Sequence, residues 1–340
     1  MFFCDPPGVT TPDALKNYGW DDIPETNYVF FHDQEPIHID LFQPLFQAAK
    51  YANGDIPMSY RDIPGHVVVS ERGEFVDKLN LIYRWKPHYY FYHGWACQDW
   101  FRGYDRTFLI PRARDRQPTR TFISPNRIVG GKRDHRVLFL YNVFKHGIDS
   151  NYISAPRICP QENVDIVDIA TKYSNIYPDI EQVFRGADLP RLYEGEQTQY
   201  MTSCWLTNFE ETRDSLIYVP TETVYFGRRT HLTEKTFKAI ALEMPFVLVA
   251  PAGSLEYLRE YGFRTFASVF DESYDEETND ILRIEKVTKL LKELDNLSVT
   301  ERQQIHRACL PIVEHNYNHF YRGGLTDILW PELTGMLNGL

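Results

Sequence analysis

The sequence predicts an α/β protein of two domains, each built from a parallel sheet covered by helices. The chain has 340 residues, which is more than one hydrophobic core usually serves. Short apolar runs alternate with segments of helical spacing in both halves. A charged, proline-containing stretch interrupts this pattern between them. We therefore expect one domain over residues 1–116 and a second over 117–340, with a cleft between the carboxyl ends of their sheets.

The first domain contains three short apolar runs that predict strands, over residues 28–31, 66–70 and 88–93. Between them, residues 41–51 and 75–85 carry apolar side chains at helical spacing. Strands that alternate with helices in this way are typical of a parallel sheet, because a parallel connection needs a crossover segment.

A linker is predicted over residues 112–121, because this stretch is charged, poor in apolar side chains and interrupted by Pro118. The alternation of strands and helices resumes after it. The predicted strands of the second domain cover 121–124, 214–220 and 245–251. The predicted helices cover 136–145, parts of 164–183 on either side of Pro178, 281–294, and 302–310, which we expect Pro311 to stop.

Composition narrows the class of protein. Lys and Arg number 36 and Asp and Glu number 47, and the net charge of −11 argues against a broadly basic surface for nucleic acid. The five cysteines form no CxxC pair, so we expect neither a zinc cluster nor a disulfide framework. Reduced thiols predict a cytoplasmic protein. No apolar run approaches the ~20 residues that a membrane span needs.

The most informative segment covers residues 231–251, where a short helix leads into an apolar strand. Thr233 is the expected N-cap, because its hydroxyl can accept from a backbone N–H of the first turn. Glu234 and Lys235 then fall in that first turn. A helix N-terminus attracts phosphate, and a carboxylate beside it can hold ribose hydroxyls. These are the groups that a site for a sugar nucleotide needs, although a capped helix with solvated charges would show the same pattern.

Other polar residues stand at the ends of predicted elements in the second domain. Ser124 and Asn126 follow one strand, Arg133 precedes a helix, and Glu222 follows another strand. Arginine can bind phosphate oxygens with two N–H groups, and a carboxylate can accept from a ribose or sugar diol. Serine and asparagine can contact phosphate or simply stabilise a turn, and both interpretations stay open. Arg127 and Arg136 compete with Arg133 for the same role.

Three motifs of the second domain occur in a fixed order. They are Ser124-Pro125-Asn126 followed by Arg133, then the block 218–223, then Leu232-Thr233-Glu234-Lys235 followed by Pro245-Phe246-Val247-Leu248. Together they resemble the donor-binding half of the α-1,3-fucosyltransferase family, over roughly residues 120–270. Thr223 stands where that family has asparagine. Residues 253–266, 271–275, 33–36 and 99–102 are also similar to glycosyltransferase sequences of bacteriophages and large viruses.

The resemblance implies a GT-B fold, with two Rossmann-like domains that face a central cleft, and a glycosyltransferase that uses a UDP- or GDP-linked sugar. It implies that Arg133 and Lys235 bind the donor diphosphate. It also implies that Glu234 and Glu222 bind the nucleoside and the sugar. The chain has no Asp-x-Asp triplet with suitable flanks, and the acidic run 271–277 predicts a solvated loop or helix start. We therefore expect transfer without a metal ion or any other cofactor.

The acceptor hydroxyl must lose a proton, and the base is expected in the first domain. Asp33 and Glu35 follow a predicted strand, and Pro36 would hold the backbone of Glu35 extended. Glu71 follows the next strand. A carboxylate at this edge can act as the base of an inverting transfer, and we favour Glu35 over Asp33 and Glu71.

The remaining hypotheses for the transferase differ in the acceptor. One acceptor is a hydroxymethylated base in phage DNA, which must leave the base stack to react, and another is a glycan of a cell surface or virion. The overall negative charge disfavours DNA as the acceptor. A local group of arginines favours it, and its members are Arg102, Arg106, Arg112, Arg114, Arg116 and Arg120. Two other classes stay open. A non-catalytic relative would bind nucleotide sugar without a working base, and a nucleic-acid-binding module would show steep salt dependence.

Overall fold

The structure is a computed structural model of mixed α/β type with parallel sheets, and it describes residues 2–4, 28–32, 65–77, 85–108, 110–193, 196 and 205–339. The chain forms two compact units. The first contains Met1–His93 with Leu329–Leu340, and the second contains Gly94–Ile328. The domain boundary after residue 116 stays a prediction.

The first unit contains a parallel sheet of four strands. Its elements are β1 (Phe2–Cys4), β2 (Tyr28–His32), β3 (Gly65–Val69), β4 (Arg72–Gly73), α1 (Glu74–Asp77) and β5 (Trp85–Tyr89). The spatial order in the sheet is β1, β2, β3, β5, and all three pairs are parallel. The strands predicted over 28–31 and 66–70 are confirmed. The helix predicted over 41–51 lies outside the described residues.

Two boundaries predicted in the first unit are wrong. The run 88–93 is not one strand, because β5 ends at Tyr89 and a helix begins at Tyr92. The first turn of that helix is stabilised from the residue that follows β3, since His93 N donates to Ser70 Oγ at 3.0 Å. The helix predicted up to residue 85 cannot reach it, because Trp85 already belongs to β5. A continuous aromatic run has no period, so it could not place either boundary.

The remaining elements follow in chain order. The helices are α2 (Tyr92–Trp100), α3 (His135–Lys145), α4 (Ile166–Ala170), α5 (Ile180–Gly186), α6 (Phe209–Asp214), α7 (Glu234–Ala241), α8 (Ser254–Glu260), α9 (Asp280–Asp295), α10 (Val299–Tyr321) and α11 (Gly324–Asn338). The strands are β6 (Arg120–Ser124), β7 (Asn151–Ile153), β8 (Ile158–Cys159), β9 (Val164–Asp165), β10 (Ser215–Tyr218) and β11 (Arg229–Thr230). Within the described ranges, no helix has the length and apolar character to cross a membrane.

The second unit is built around a parallel sheet in the order β10, β6, β7. Residues 245–249 extend it beside β10, through bonds such as Tyr218 N to Pro245 O at 2.8 Å and Val249 N to Pro220 O at 3.0 Å. This strand, predicted over 245–251, forms only isolated bridges. Pro220 and Pro245 have no N–H to donate, so the ladder cannot run continuously.

The connections in this sheet leave β6 and β10 in opposite directions. From β6 the chain passes through α3 to β7 on one side, and from β10 it passes through α7 to residues 245–249 on the other. Both helices therefore begin at the carboxyl edge of the sheet, on either side of a topological switch point. In open α/β sheets this is the place where ligands bind.

The predicted linker is not a free connection. The Glu243 carboxylate accepts from Ala113 N at 2.6 Å and pairs with Arg112 at 2.5 Å, while Arg112 also donates to Tyr317 Oη at 2.8 Å. Arg116 is 1% exposed and its guanidinium contacts Glu243 O. Sequence composition indicates charge but not its partners, and here the partners are buried within the second unit.

Pro311 does not stop a helix as predicted, because α10 continues through it to Tyr321. Proline cannot donate to the carbonyl four residues earlier, which is that of Arg307. Both residues lie on the exposed face, where water can satisfy that carbonyl. The opposite face buries apolar side chains that hold the helix together on both sides of the proline: Cys309, Val313, Tyr317 and Phe320.

The acidic run 271–277 is not a purely solvated segment. Asp275 is 6% exposed, and its carboxylate accepts from Leu255 N at 3.0 Å at the start of α8. Glu272 accepts from Phe266 N at 2.5 Å. Burial raises the pKa of Asp275 to about 6, although its backbone hydrogen bonds act in the opposite direction.

We expect Asp275 to make the free energy of unfolding fall as the pH rises from about 4 to about 6, by about 2–3 kcal/mol. The folded state keeps a proton there that the unfolded chain releases near its ordinary value of 3.8, so this stability is present below that value and lost above the raised pKa. Urea unfolding of the protein and of Asp275→Asn across this range measures it. The difference between the two curves isolates Asp275, and a flat difference would contradict the prediction.

Candidate functional site

Glu222 lies at the carboxyl edge of the sheet, in the turn that follows β10, and its side chain faces the start of α7. It is fully buried, and its Oε1 accepts from Thr233 N at 3.1 Å, Thr236 N at 3.3 Å and Thr236 Oγ1 at 2.6 Å. Its Oε2 accepts from Thr233 Oγ1 at 2.6 Å. The carboxylate therefore joins the strand end to the helix start.

Thr233 is the N-cap of α7, as predicted, because its hydroxyl accepts from Lys235 N. The Lys235 Nζ folds back over this cap. It donates to Thr223 Oγ1 at 3.0 Å, to Thr233 Oγ1 at 3.0 Å and to Glu234 Oε1 at 2.8 Å. The side chains of Lys235 and Glu234 remain 25% and 12% exposed. An ammonium and a carboxylate thus lie side by side at the edge of the sheet, both within reach of solvent.

A second cation reaches the same turn from α3. Arg136 is 4% exposed, and its guanidinium donates to Thr221 O at 2.7 Å and to Ile128 O at 2.8 Å. Its Nε has no hydrogen-bond partner among the described residues. Burial and, to a smaller extent, the charge of Arg133 lower the pKa of Arg136 to about 10, so the group stays protonated near neutral pH.

His135 precedes Arg136 and is fully buried. Its Nε2 lies 3.0 Å from Glu222 O, a carbonyl that can only accept, so Nε2 carries the proton and Nδ1 is an acceptor. Burial and the neighbouring charge of Arg136 lower the pKa of His135 well below its usual value. The imidazole stacks on the Tyr225 ring with a centroid distance of 4.8 Å. The Arg283 guanidinium lies over the Tyr225 ring as well, 4.3 Å from its centroid. This stack fixes the segment that follows Glu222.

Arg133 stands one turn ahead of Arg136, in the short 3-10 helix Gly131–Arg133 that leads into α3. Its side chain is half-buried, and among the described residues its guanidinium makes one weak hydrogen bond, to Gln161 Oε1 at 3.3 Å. The pKa of the neighbouring Lys132 is lowered by partial burial and by the charge of Arg229. Several positive groups therefore gather at the start of α3.

Ser124 and Asn126 are fully buried at the end of β6. Ser124 Oγ donates to Val219 O at 2.8 Å, and Asn126 Nδ2 donates to Ser124 O at 3.0 Å. Thr221 Oγ1 donates to Asn126 Oδ1 at 2.8 Å. These bonds tie the end of β6 to the turn after β10, so the structure favours turn chemistry over direct phosphate contact by these two side chains.

The candidate bases are only partly described. Glu71 lies just beyond β3 in the first unit and is 2% exposed. Asp33 and Glu35 lie outside the described residues. Their proposed role in removing a proton therefore stays a prediction.

The six arginines of the predicted basic group make different kinds of contact. Arg112 and Arg116 make the internal bonds with Glu243 that are described above. Arg102 is exposed and pairs with Asp99 at 3.2 Å, and Arg120 lies 5.7 Å from the ring of Tyr152. Two of the six side chains are thus committed to folding, which weakens the case for a continuous basic surface.

Thr236 and Thr221 belong to the site but were not selected as site residues from the sequence. Thr236 stands three residues after the N-cap, a position from which side chains often bond the helix start, and this was the available signal. Thr221 carried no local signal, because its partner Asn126 is 95 residues away in the chain.

No family model, curated protein or solved structure matches this chain. The described residues contain no group of three or more His, Cys, Asp or Glu side chains placed to hold a metal ion. The site is therefore interpreted from its own geometry. Two cations, Arg136 and Lys235, arrive from two helices on either side of the switch point, and both contact the turn 221–223.

Proposed function

We propose that this protein is a glycosyltransferase of GT-B type, with two Rossmann-like domains, that transfers a sugar from a nucleoside diphosphate to an acceptor hydroxyl with inversion. The observation that carries the proposal is the convergence of α3 and α7 on the turn 221–223. Each helix brings a cation to that turn, from opposite sides of the switch point. A diphosphate is the ligand class that cationic side chains gathered at this edge of the sheet accommodate.

In this proposal the donor diphosphate lies between Arg133 and Lys235. Within the described part of the chain, Arg133 has one weak hydrogen bond to give up, to Gln161. Arg136 is buried, and its role in this proposal is to hold the turn 221–223 in place. Lys235 already uses its three N–H groups, so a phosphate oxygen replaces one acceptor. The acceptor that it replaces is Glu234, whose carboxylate, 12% exposed, then binds the ribose diol. Positive charge at this place stabilises the leaving diphosphate in the transition state.

The acceptor must lose a proton as the new bond forms, and we assign this to one of Glu35, Asp33 and Glu71. The leaving diphosphate is neutralised by arginine and lysine in this proposal, without a metal ion. The acceptor is a hydroxymethylated base of phage DNA or, alternatively, a glycan of a cell surface or virion. The inward contacts of Arg112 and Arg116 with Glu243 leave fewer arginines to bind DNA phosphates, which favours the glycan.

Thermal unfolding of the purified protein with UDP, GDP, CDP or ADP, each with and without EDTA, tests the proposal. At 100 times its dissociation constant, a bound nucleotide should stabilise the fold by about 2.7 kcal/mol. We expect one nucleotide to raise the unfolding temperature by several degrees, equally with EDTA, and the effect to disappear in Glu234→Ala.

A protein that responds to none of the four nucleotides would contradict the proposed function. A response that EDTA removes would contradict the metal-independent mechanism alone. Single replacement of Glu35, Asp33 or Glu71 then separates a catalyst from a non-catalytic binder, because a catalyst should lose turnover and keep donor affinity in one of the three variants.

A further inference from the structure

The Thr233 hydroxyl uses its whole hydrogen-bonding capacity. A hydroxyl has one proton to donate and two lone pairs to accept with. Thr233 Oγ1 lies 2.6 Å from Glu222 Oε2, 3.3 Å from Lys235 N and 3.0 Å from Lys235 Nζ. Both nitrogens of Lys235 can only donate, and a carboxylate can only accept. The proton must therefore point to Glu222, and both lone pairs must point to Lys235.

Glu222 also takes the position at the start of α7 that an anion would otherwise occupy. Backbone N–H groups at a helix start, together with the positive end of its dipole, favour negative charge there. Two of these groups, Thr233 N and Thr236 N, already donate to Glu222, which is fully buried. Thr233 N and Thr236 N are thus satisfied internally, and the cation that α7 itself offers to a ligand is the Lys235 side chain.

We propose that Glu222 is a positioning residue: by fixing the direction of the Thr233 hydroxyl proton, it holds the Lys235 ammonium in place for a diphosphate ligand. The proposal deepens the proposed function and rests on it. It assigns Glu222 no contact with the sugar. In Glu222→Gln an amide N–H can donate to Thr233 Oγ1, which turns the hydroxyl proton towards Lys235 and displaces the ammonium from this bond.

Calorimetric titration with inorganic pyrophosphate, UDP and GDP tests this positioning role. Removal of a negative charge beside an anion site would by electrostatics alone tighten binding. We expect the opposite, with Glu222→Gln weakening pyrophosphate and nucleotide binding about tenfold through the loss of one hydrogen bond to a charged group. Thr233→Val should weaken it equally, Thr233→Ser should restore it, and the double variant Glu222→Gln, Thr233→Val should bind no worse than either single variant.

Two matched controls separate positioning from general destabilisation. Asp275→Asn alters another buried carboxylate at a helix start, and Thr288→Val removes another buried threonine hydroxyl, which donates to Ile284 O. Both should leave the affinity for pyrophosphate within about twofold of the unaltered protein, as expected for sites that share no partner with Lys235.

Pyrophosphate binding that is unchanged or tighter in folded Glu222→Gln would overturn the proposal. If this variant does not fold, the pair Thr233→Val and Thr233→Ser decides, since equal affinity in the two would also overturn it. Binding of pyrophosphate that depends on Glu222, without binding of any nucleotide, would support the positioning role and reject the proposed function. Failure of the unaltered protein to bind either ligand would reject both.

Discussion

Replacement of Lys235 by methionine is expected to lower nucleoside diphosphate affinity by about 10- to 150-fold, because a hydrogen bond to a charged group contributes about 1.5–3 kcal/mol. Methionine keeps much of the aliphatic stem and removes the ammonium. That ammonium now bonds Thr223, Thr233 and Glu234 at the edge where α7 begins. Titration of the variant with the nucleotide that stabilises the unaltered protein measures the effect.

A surface lysine provides the control for this variant. Lys289 is 79% exposed on α9 and pairs weakly with Glu293 at 3.9 Å, so Lys289→Met removes the same charge without touching the site. We expect its nucleotide affinity to stay within about twofold, because an exposed pair of this kind contributes little. Equal losses in the two variants would indicate a general effect of net charge and would contradict a specific role for Lys235.

Arg136→Met is expected to lower the free energy of unfolding by about 2–5 kcal/mol, since it leaves buried acceptors unsatisfied and removes a buried charge from its partners. The carbonyls of Ile128 and Thr221 lose their donors, and the link between α3 and the turn after β10 is broken. The charges of Glu222 and Glu234 also lose a stabilising neighbour. Urea unfolding, with the slope checked against the unaltered protein, measures this change.

Arg133→Met tests the complementary prediction, which is that Arg133 binds the ligand and contributes little to stability. Its side chain is half-buried and makes one weak contact, so we expect the free energy of unfolding to change by no more than about 0.5 kcal/mol. Its nucleotide affinity should nevertheless fall about tenfold if it binds phosphate. A large loss of stability in Arg133→Met with little loss in Arg136→Met would contradict this assignment of the two arginines.

The start of α7 shows how far local sequence reaches. Thr233 was predicted as the N-cap because its partner is two residues away, and a pattern of neighbouring residues contains such contacts. The parallel strands β6 and β10 and the helices α3 and α9 were likewise predictable, since their apolar spacing is local. The end of α10 was not predictable from local spacing. Burial of its apolar face outweighs the missing bond at Pro311, and that burial depends on neighbouring elements.

The sequence by itself determined the α/β class, the order of the main elements in the second unit, and the polar residues near the carboxyl edge of its sheet. Only the tertiary structure decided which of these side chains are buried and which partners they bond. Glu222 is inside and bonded to Thr233 and Thr236, while Arg136 rather than Arg133 is buried. The physical reason is that local propensity acts over a few residues, whereas burial and hydrogen-bond satisfaction depend on which distant segments meet: Arg136 and Thr221 are 85 residues apart in the chain and 2.7 Å apart in the fold.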